Sequence, residues 1–316
     1  MDVKQVAALL RGQDKFLLLT HKRPDGDTTG CAAGLCRALR QAGKQAWVLP
    51  NEDITPLFSP YLEGLLLPEG EQPEFVVSVD LSSRNLFSPG GRVWLDRGID
   101  LAIDHHPSYE GFAKTCWVDP GRAACGELIL DLVSELGPLT QEIAVPLYVA
   151  ISTDTGCFVY GNTTPATHRA AAALMETGID TAALNKRHFR TKSWKRVQIE
   201  STLMRELERH DGGKTALAVI SLALMDQLSA TSADLEDVAS LVGQVEGVET
   251  SVTIREQQDG SCKLSVRTSG GLDANKVCGL LGGGGHAAAS GCVITGSIET
   301  AKKSILEAIH TVQTGG

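Results

Sequence analysis

The sequence predicts an α/β protein in two parts: a mostly parallel sheet covered by helices, then a smaller α/β domain. Three observations carry that expectation. At 316 residues the chain is longer than one hydrophobic core usually serves. Its first half alternates short apolar runs with helical patterns, as the strands and crossover helices of a parallel sheet do. Its last third holds two apolar runs joined through Asp259-Gly260, a pair suited to a hairpin turn.

Taken in order, Phe16–Leu19 is wholly apolar and reads as a buried strand. A helix is expected over 29–42, then strands over 46–49, 75–79 and 101–103. Helical patterns follow over 126–136, 143–151 and 165–177. The last opens on Pro165, whose fixed φ and missing N–H suit a first helical turn. These elements make a first domain of about 1–190. The stretch WKRVQIESTLMRELERH at 194–210 spaces Val197, Leu203 and Leu207 among charges, which predicts an amphipathic linker helix within 191–212. The second domain, 213–316, should hold a strand at 216–221, a helix near 233–242 and strands at 250–255 and 263–267. A helix at 274–281, the glycine run 282–285, a strand at 292–295 and a helix from Ile298 complete it.

Composition narrows the function. With 42% hydrophobic and 21% charged residues, the chain is ordinary for a folded protein. A net charge of -9 argues against a broad cationic surface for long duplex nucleic acid, yet leaves room for a short anionic substrate gripped locally. The eight cysteines form no Cys-x-x-Cys pair and read as reduced thiols of a cytoplasmic protein. No signal-like segment and no apolar stretch near the roughly 18 residues of a membrane span is seen. Neither membrane nor long nucleic acid is expected as a partner, and a homodimer is compatible with everything above.

The chemistry gathers where apolar runs end. After Phe16–Leu19 comes His21-Lys22-Arg23-Pro24-Asp25-Gly26-Asp27, an imidazole and two carboxylates where open α/β sheets bind ligands. Nitrogen and oxygen donors on such a stiffened turn suit a divalent cation of the Mn²⁺ kind. The plainer reading makes Asp25 a turn residue and Asp27 a helix cap. Three further runs end alike, in Asp80, in Asp104-His105-His106 and in Ser152-Thr153-Asp154. Four carboxylates (Asp25, Asp27, Asp80, Asp154) converging with His21 and His105 would repel one another or take up protons unless two cations neutralised them. The glycine run before His286 lets backbone approach an anion, or simply ends a helix. Arg267 offers a fork to phosphate, or is a solvated strand residue. The segment RHFRTKSWKR at 187–196 reads as a solvated helix start with two packed aromatics, Phe189 and Trp194, rather than a base-stacking surface.

These segments resemble the DHH phosphoesterases, named for the triplet Asp104-His105-His106. HKRPDGDTTG at 21–30, VSVD at 77–80, IDHH at 103–106 and STDTGCFVYGNTT at 152–164 match in order. KLSVRTSGGLDANKVCGLLGGGGHAAASG at 263–291 is similar to the DHH-associated C-terminal domain. The resemblance implies that His21, Asp25 and Asp80 hold one cation while Asp27, Asp80, His105 and Asp154 hold another, with Asp80 shared. It further implies that His106 faces substrate phosphate, that Asp104 steadies the histidines, and that Arg267, Gly284, Gly285 and His286 bind substrate with the active site in a cleft. The chain departs from the pattern at Cys31, where the family has serine.

Within that group the chain is most similar to the bacterial oligoribonuclease and pAp-phosphatase type. The expected activity is hydrolysis of short oligoribonucleotides or of adenosine 3′,5′-bisphosphate (pAp). Water activated by two divalent cations, Mn²⁺ before Mg²⁺ or Co²⁺, would be the nucleophile. Other readings are an exopolyphosphatase or inorganic pyrophosphatase, a dinucleotide phosphodiesterase, and a regulatory module that binds nucleotide and metal without turnover.

Overall fold

A computed structural model describes residues 1–235 and 238–315, which divide into two compact units, Met1–Thr191 and Lys192–Gly316. In the first unit, helix α1 (Val3–Arg11) is capped by a reciprocal pair of bonds between Asp2 and Gln5. There follow β1 (Phe16–Leu19), α2 (Gly26–Gln41), β2 (Ala46–Val48), β3 (Phe75–Val79), α3 (Pro89–Arg97), β4 (Ile99–Asp104) and β5 (Ala113–Val118). Helices α4 (Cys125–Leu136), α5 (Gln141–Asp154), α6 (Pro165–Met175) and α7 (Thr181–Asn185) complete it. The five strands pair in parallel in the order β2-β1-β3-β4-β5. The unbroken apolar run of β1 has a direct cause, since the sheet is covered on both faces. Phe16 and Leu18 enter one core with α1, α2, α4 and α5, whereas Leu17 and Leu19 enter another with Trp94 and Leu95 of α3.

Strand order reverses at β1, whose neighbours β2 and β3 lie to either side. In sheets of this order a crevice opens beyond the carboxyl ends at that switch point. Helices α2 and α5 are brought close by glycine. A Cβ on Gly30 would stand 2.2 Å from the Pro146 carbonyl oxygen and 2.8 Å from the Ala150 Cβ, and one on Gly34 would stand 2.7 Å from Leu147.

In the second unit α8 (Trp194–Arg205) precedes β6 (Glu208–His210), β7 (Thr215–Ile220), α9 (Leu222–Gln227), α10 (Val238–Leu241) and β8 (Thr250–Glu256). Then come β9 (Ser261–Thr268), α11 (Ala274–Gly279), β10 (Gly284–Gly285), β11 (Ala289–Thr295) and α12 (Ile298–Gln313). The sheet is mixed, in the order β10-β11-β9-β8-β7-β6, with β7 and β8 parallel. Cys262, Leu264 and Val266 of β9 point into a core shared with α11 and α12. Period-2 alternation therefore turns Lys263, Ser265 and Arg267 to the opposite face. Ile199 and Leu203 of α8 pack on Ala216, Ala218 and Ile220 of β7.

The expected elements are present, with differences at their ends. The helix read over 194–210 stops at Arg205, and Glu208–His210 instead pairs with β7 as an edge strand. The helix read near 233–242 includes 236 and 237, which lie outside the described residues. Trp194, read as packed, is 74% exposed. Three elements carry weak signals in the sequence. Helix α3 opens on Pro-Gly-Gly, poor helix formers. Strand β5 is an edge whose residues stay partly or fully exposed apart from Trp117, and α1 is only nine residues. Among the described residues no helix is long and apolar enough to cross a membrane.

Gly30→Ala should push α2 away from α5 and destabilise the protein by about 1–3 kcal/mol, the usual cost of overpacking. A lowered urea midpoint with unchanged slope is the expected readout. An unchanged midpoint would show that the interface is not close-packed there.

Candidate metal centre

Each candidate ligand stands where an element begins or ends. Asp25 is the N-cap of α2, its carboxylate accepting from the N–H groups of Asp27 (3.1 Å) and Thr28 (3.2 Å). The cap in the first motif is thus Asp25, and Asp27, two residues on, is buried. Both oxygens of Asp27 are held by the start of α4, the N–H of Cys125 reaching Oδ2 at 2.7 Å and that of Gly126 reaching Oδ1 at 2.9 Å. The Cys31 thiol donates to Oδ1 at 3.2 Å. Thr28 Oγ1 donates to the Val79 carbonyl at 2.9 Å, which pins the start of α2 to the end of β3. Asp80 follows β3 directly with φ of +54°, a region Asp tolerates better than most residues, while its N–H donates to Ile103. Asp104 ends β4 and Asp154 ends α5.

These ends meet in one place. Nε2 of His21 lies 3.5 Å from Asp25 Oδ1 and 3.8 Å from Asp80 Oδ2. Nε2 of His105 lies 3.5 Å from Asp80 Oδ1, 3.5 Å from Asp154 Oδ2 and 3.8 Å from Asp27 Oδ2. Two triples, His21 with Asp25 and Asp80, and Asp27 with His105 and Asp154, each bring their ligand atoms within 4.8 Å of one another. The other nitrogens of the two imidazoles are occupied, His21 Nδ1 by the Lys22 carbonyl at 2.8 Å and His105 Nδ1 by the Arg122 carbonyl at 3.1 Å. Those bonds put the proton on Nδ1 and leave Nε2 as a lone-pair donor.

A third triple, Asp80 with His105 and His106, also satisfies the distances. Its His106 nitrogen is already committed, because Nδ1 donates to Asp104 Oδ1 at 2.8 Å. Asp104, fully buried, also accepts from the N–H groups of His105 and His106. The bond to Asp104 raises the His106 pKa above its ordinary value, outweighing burial. His106 therefore belongs to a hydrogen-bond pair whose Nε2 remains for another partner.

The electrostatics test whether cations fit. Burial, followed by the neighbouring carboxylates, pushes Asp27 and Asp80 well above the usual carboxylate range, and burial raises Asp154 as well. Asp80 Oδ1, on a residue only 3% exposed, has no hydrogen-bond partner among the described residues. A buried carboxylate oxygen without a donor is costly alone and ordinary as a metal ligand. Imidazole with carboxylate oxygens suits a cation between hard and borderline. The residues fit two divalent cations, with Asp80 within reach of both.

The C-terminal candidates cluster by themselves. Arg267 on β9 pairs across from Ala289 on β11, and Gly284 and Gly285 pair with Gly291 and Ser290. A groove of 570 Å³ is lined by Lys263, Arg267, Gly283, Gly284 and Ser290 among others. A Cβ on Gly283 would stand 2.2 Å from the Gly291 carbonyl oxygen, so glycine there answers to strand packing. The N–H of Gly285 donates to Asn275 Oδ1 and that of His286 to the Ala289 carbonyl, leaving neither free for an anion. With those two amides engaged, the candidates left to hold an anion here act through side chains, Arg267 and His286 among them.

Several contributors escape a reading of side-chain motifs. The carbonyls of Lys22 and Arg122 and the amides of Cys125 and Gly126 act through backbone, which has no sequence signature. Asn162, whose amide donates to the Asp154 carbonyl at 3.1 Å, sits in the matching segment and was readable only by its place there. Cys31, at the position where the resemblance leads one to expect serine, offers its thiol as a donor to Asp27. Of the unassigned histidines, His188 stacks on Phe58 and Tyr61 and His168 on Phe158.

Two family models match this chain, one described as the DHH family, N-terminal domain, over 15–151 and one as the DHHA1 domain over 212–313. A Thermus thermophilus protein named bifunctional oligoribonuclease and PAP phosphatase NrnA is 34% identical, covering 98% of this chain and 93% of its own length. A Bacillus subtilis protein of the same name is 24% identical, covering 89% and 90%. The crystal structure of an exopolyphosphatase-related protein from Bacteroides fragilis matches with a TM-score of 0.89 over 99% of this chain and 96% of that one. At 22% identity it shows the shared fold alone.

Asp80→Asn keeps a side chain that accepts positive φ while removing the charge. A carboxyl whose folded pKa is raised costs stability at neutral pH, above its unfolded pKa. In chelator-treated protein the variant should therefore be more stable than wild type, by about 1–3 kcal/mol in urea unfolding. Added Mn²⁺ should stabilise wild type far more than the variant. A metal-free variant less stable than wild type would make Asp80 a structural residue instead.

Proposed function

The chain belongs to the DHH family and is a phosphoesterase, and from that premise we propose that it hydrolyses short oligoribonucleotides and adenosine 3′,5′-bisphosphate. The observation that carries the proposal is the convergence of Asp25, Asp27, Asp80 and Asp154 with His21 and His105 at the carboxyl ends of β1, β3 and β4 and the end of α5. His21, Asp25 and Asp80 would hold one divalent cation, and Asp27, Asp80, His105 and Asp154 a second, Mn²⁺ being the ion proposed. Such a pair lowers the pKa of a water molecule and neutralises charge on phosphoryl oxygens.

The rest falls to the protein's own groups. With Nδ1–H spent on Asp104, His106 offers Nε2 to the phosphoryl group, and its raised pKa favours the protonated form that donates there. Asp104 is a positioning residue that holds both histidines through three bonds. Arg267 and His286 would take a second phosphate of the substrate, with Gly284 and Gly285 keeping the backbone beside them low. The NrnA relatives are named for acting on oligoribonucleotides and PAP, substrates that carry more than one phosphate.

With Mn²⁺ present, pAp and a 5′-phosphorylated dinucleotide should be hydrolysed well, and a 24-mer, a cyclic dinucleotide and pyrophosphate poorly. Pyrophosphate as the best substrate would overturn the proposal. Arg267→Ala should lower kcat/KM on the dinucleotide by ten- to a hundredfold, the worth of about 1.5–3 kcal/mol for a charge-assisted contact. It should spare bis-p-nitrophenyl phosphate. Equal losses on both would move Arg267 to the reacting phosphate.

A further inference from the structure

The segment that follows Asp154 is unusual in its backbone. Gly156, Cys157 and Phe158 take φ of +56°, +57° and +67° in succession. Two of the three are not glycine, and such conformations persist where the surroundings over-determine them, often at ligand sites. The segment is anchored to the acidic centre, since the Asn162 amide donates to the Asp154 carbonyl at 3.1 Å and the Tyr160 N–H donates to the Thr155 carbonyl at 3.0 Å. Phe158 turns inward, its ring near Tyr148 and His168. Its successors Val159 and Tyr160 turn outward, 80% and 56% exposed.

The Tyr160 ring is held in place. A Cβ on Gly156 would stand 2.4, 2.4 and 2.6 Å from Cε1, Cζ and Cε2 of that ring. Near-equal distances to three consecutive ring atoms put the point over the face of the ring, so the ring lies on the bare Gly156 backbone. Gly156 is two residues from Asp154, which bounds their Cα atoms to about 7.6 Å apart. A large aromatic surface, packed on one face and substantially exposed, thus sits within a nucleotide's reach of a proposed metal ligand. Exposed tyrosines are common, but this one is seated flat on a glycine two residues after Asp154, in a strained loop.

We propose that Tyr160 is a specificity residue that stacks on the base of the nucleotide whose phosphate enters the metal centre, so that the site favours nucleoside phosphates over bare ones. The inference deepens the proposed function and rests on it. Phosphate contacts do not distinguish pAp from a base-free bisphosphate, whereas stacking on an aromatic ring does, and it is tolerant of base identity. Val159 beside it extends the apolar edge.

The test compares pAp with ribose 3′,5′-bisphosphate, which has both phosphates and no base, on the Mn²⁺-loaded full chain. Wild type should prefer pAp in kcat/KM by roughly five- to a hundredfold, the range that one stacked base is worth. Tyr160→Ala and Tyr160→Leu should bring that ratio towards one, mainly through KM for pAp, and Tyr160→Phe should keep it. Leucine preserves packing on Gly156 without an aromatic face, which separates stacking from loop integrity. A preference that survives in both the alanine and leucine variants, or its absence in wild type, would overturn the role of Tyr160 while leaving the proposed function standing. Wild-type inactivity on pAp and on a 5′-phosphorylated dinucleotide would overturn both.

Discussion

Like charge gathered in one place is the constraint on which the first unit turns. Asp27, Asp80 and Asp104 are buried, with Asp25 and Asp154 at the rim, and burial alone penalises the charged form of each. The fold meets that cost with donors drawn from its own backbone. The opening amides of α4 hold both oxygens of Asp27, those of α2 hold Asp25, and Asp104 is held by the two histidines that follow it. Of these aspartates' buried oxygens two lack a donor among the described residues, Asp104 Oδ2 and Asp80 Oδ1, and it is Asp80 Oδ1 that lies 3.5 Å from His105 Nε2. A shared metal ligand needs that oxygen free, and the strand order that places β1 beside β3 puts Asp80 between the two triples.

The helices serve the same end. Glycines at 26, 30 and 34 on α2 and at 126 on α4 admit Thr153, Pro146, Leu147 and Ala150 of α5 at distances no Cβ would allow. Close approach of α2 and α5 draws Asp27 and Asp154 to one imidazole, that of His105. Packing and chemistry are thus coupled, and the small residues of GDTTGCAAG are as much a part of the centre as its carboxylates.

Much of this was legible in the sequence because its signals are local. An apolar run followed by an acid marks where an element ends, here strands β1, β3 and β4 and helix α5, and the four junctions, with the resemblance they carry, supplied the candidate ligands. What was not legible acts across distance or through backbone. Nothing in Arg122 or Lys22 announces that their carbonyls orient His105 and His21. HKRPDGDTTG alone does not say which aspartate caps α2 and which turns inward, because both patterns suit either. The early end of α8 depends on β6 finding β7, a tertiary contact. Trp194 stays exposed as the first residue of α8, whose buried residues are Ile199 and Leu203.

The central claim is that two cations complete the centre, and it is tested most directly by counting them. Chelator-stripped protein titrated with Mn²⁺ by calorimetry should bind two ions per chain, with His21→Ala and Asp154→Ala each removing one and retaining the other. Binding of no ion, or loss of both ions in each of these variants, would contradict the division of the ligands into two sites that share Asp80.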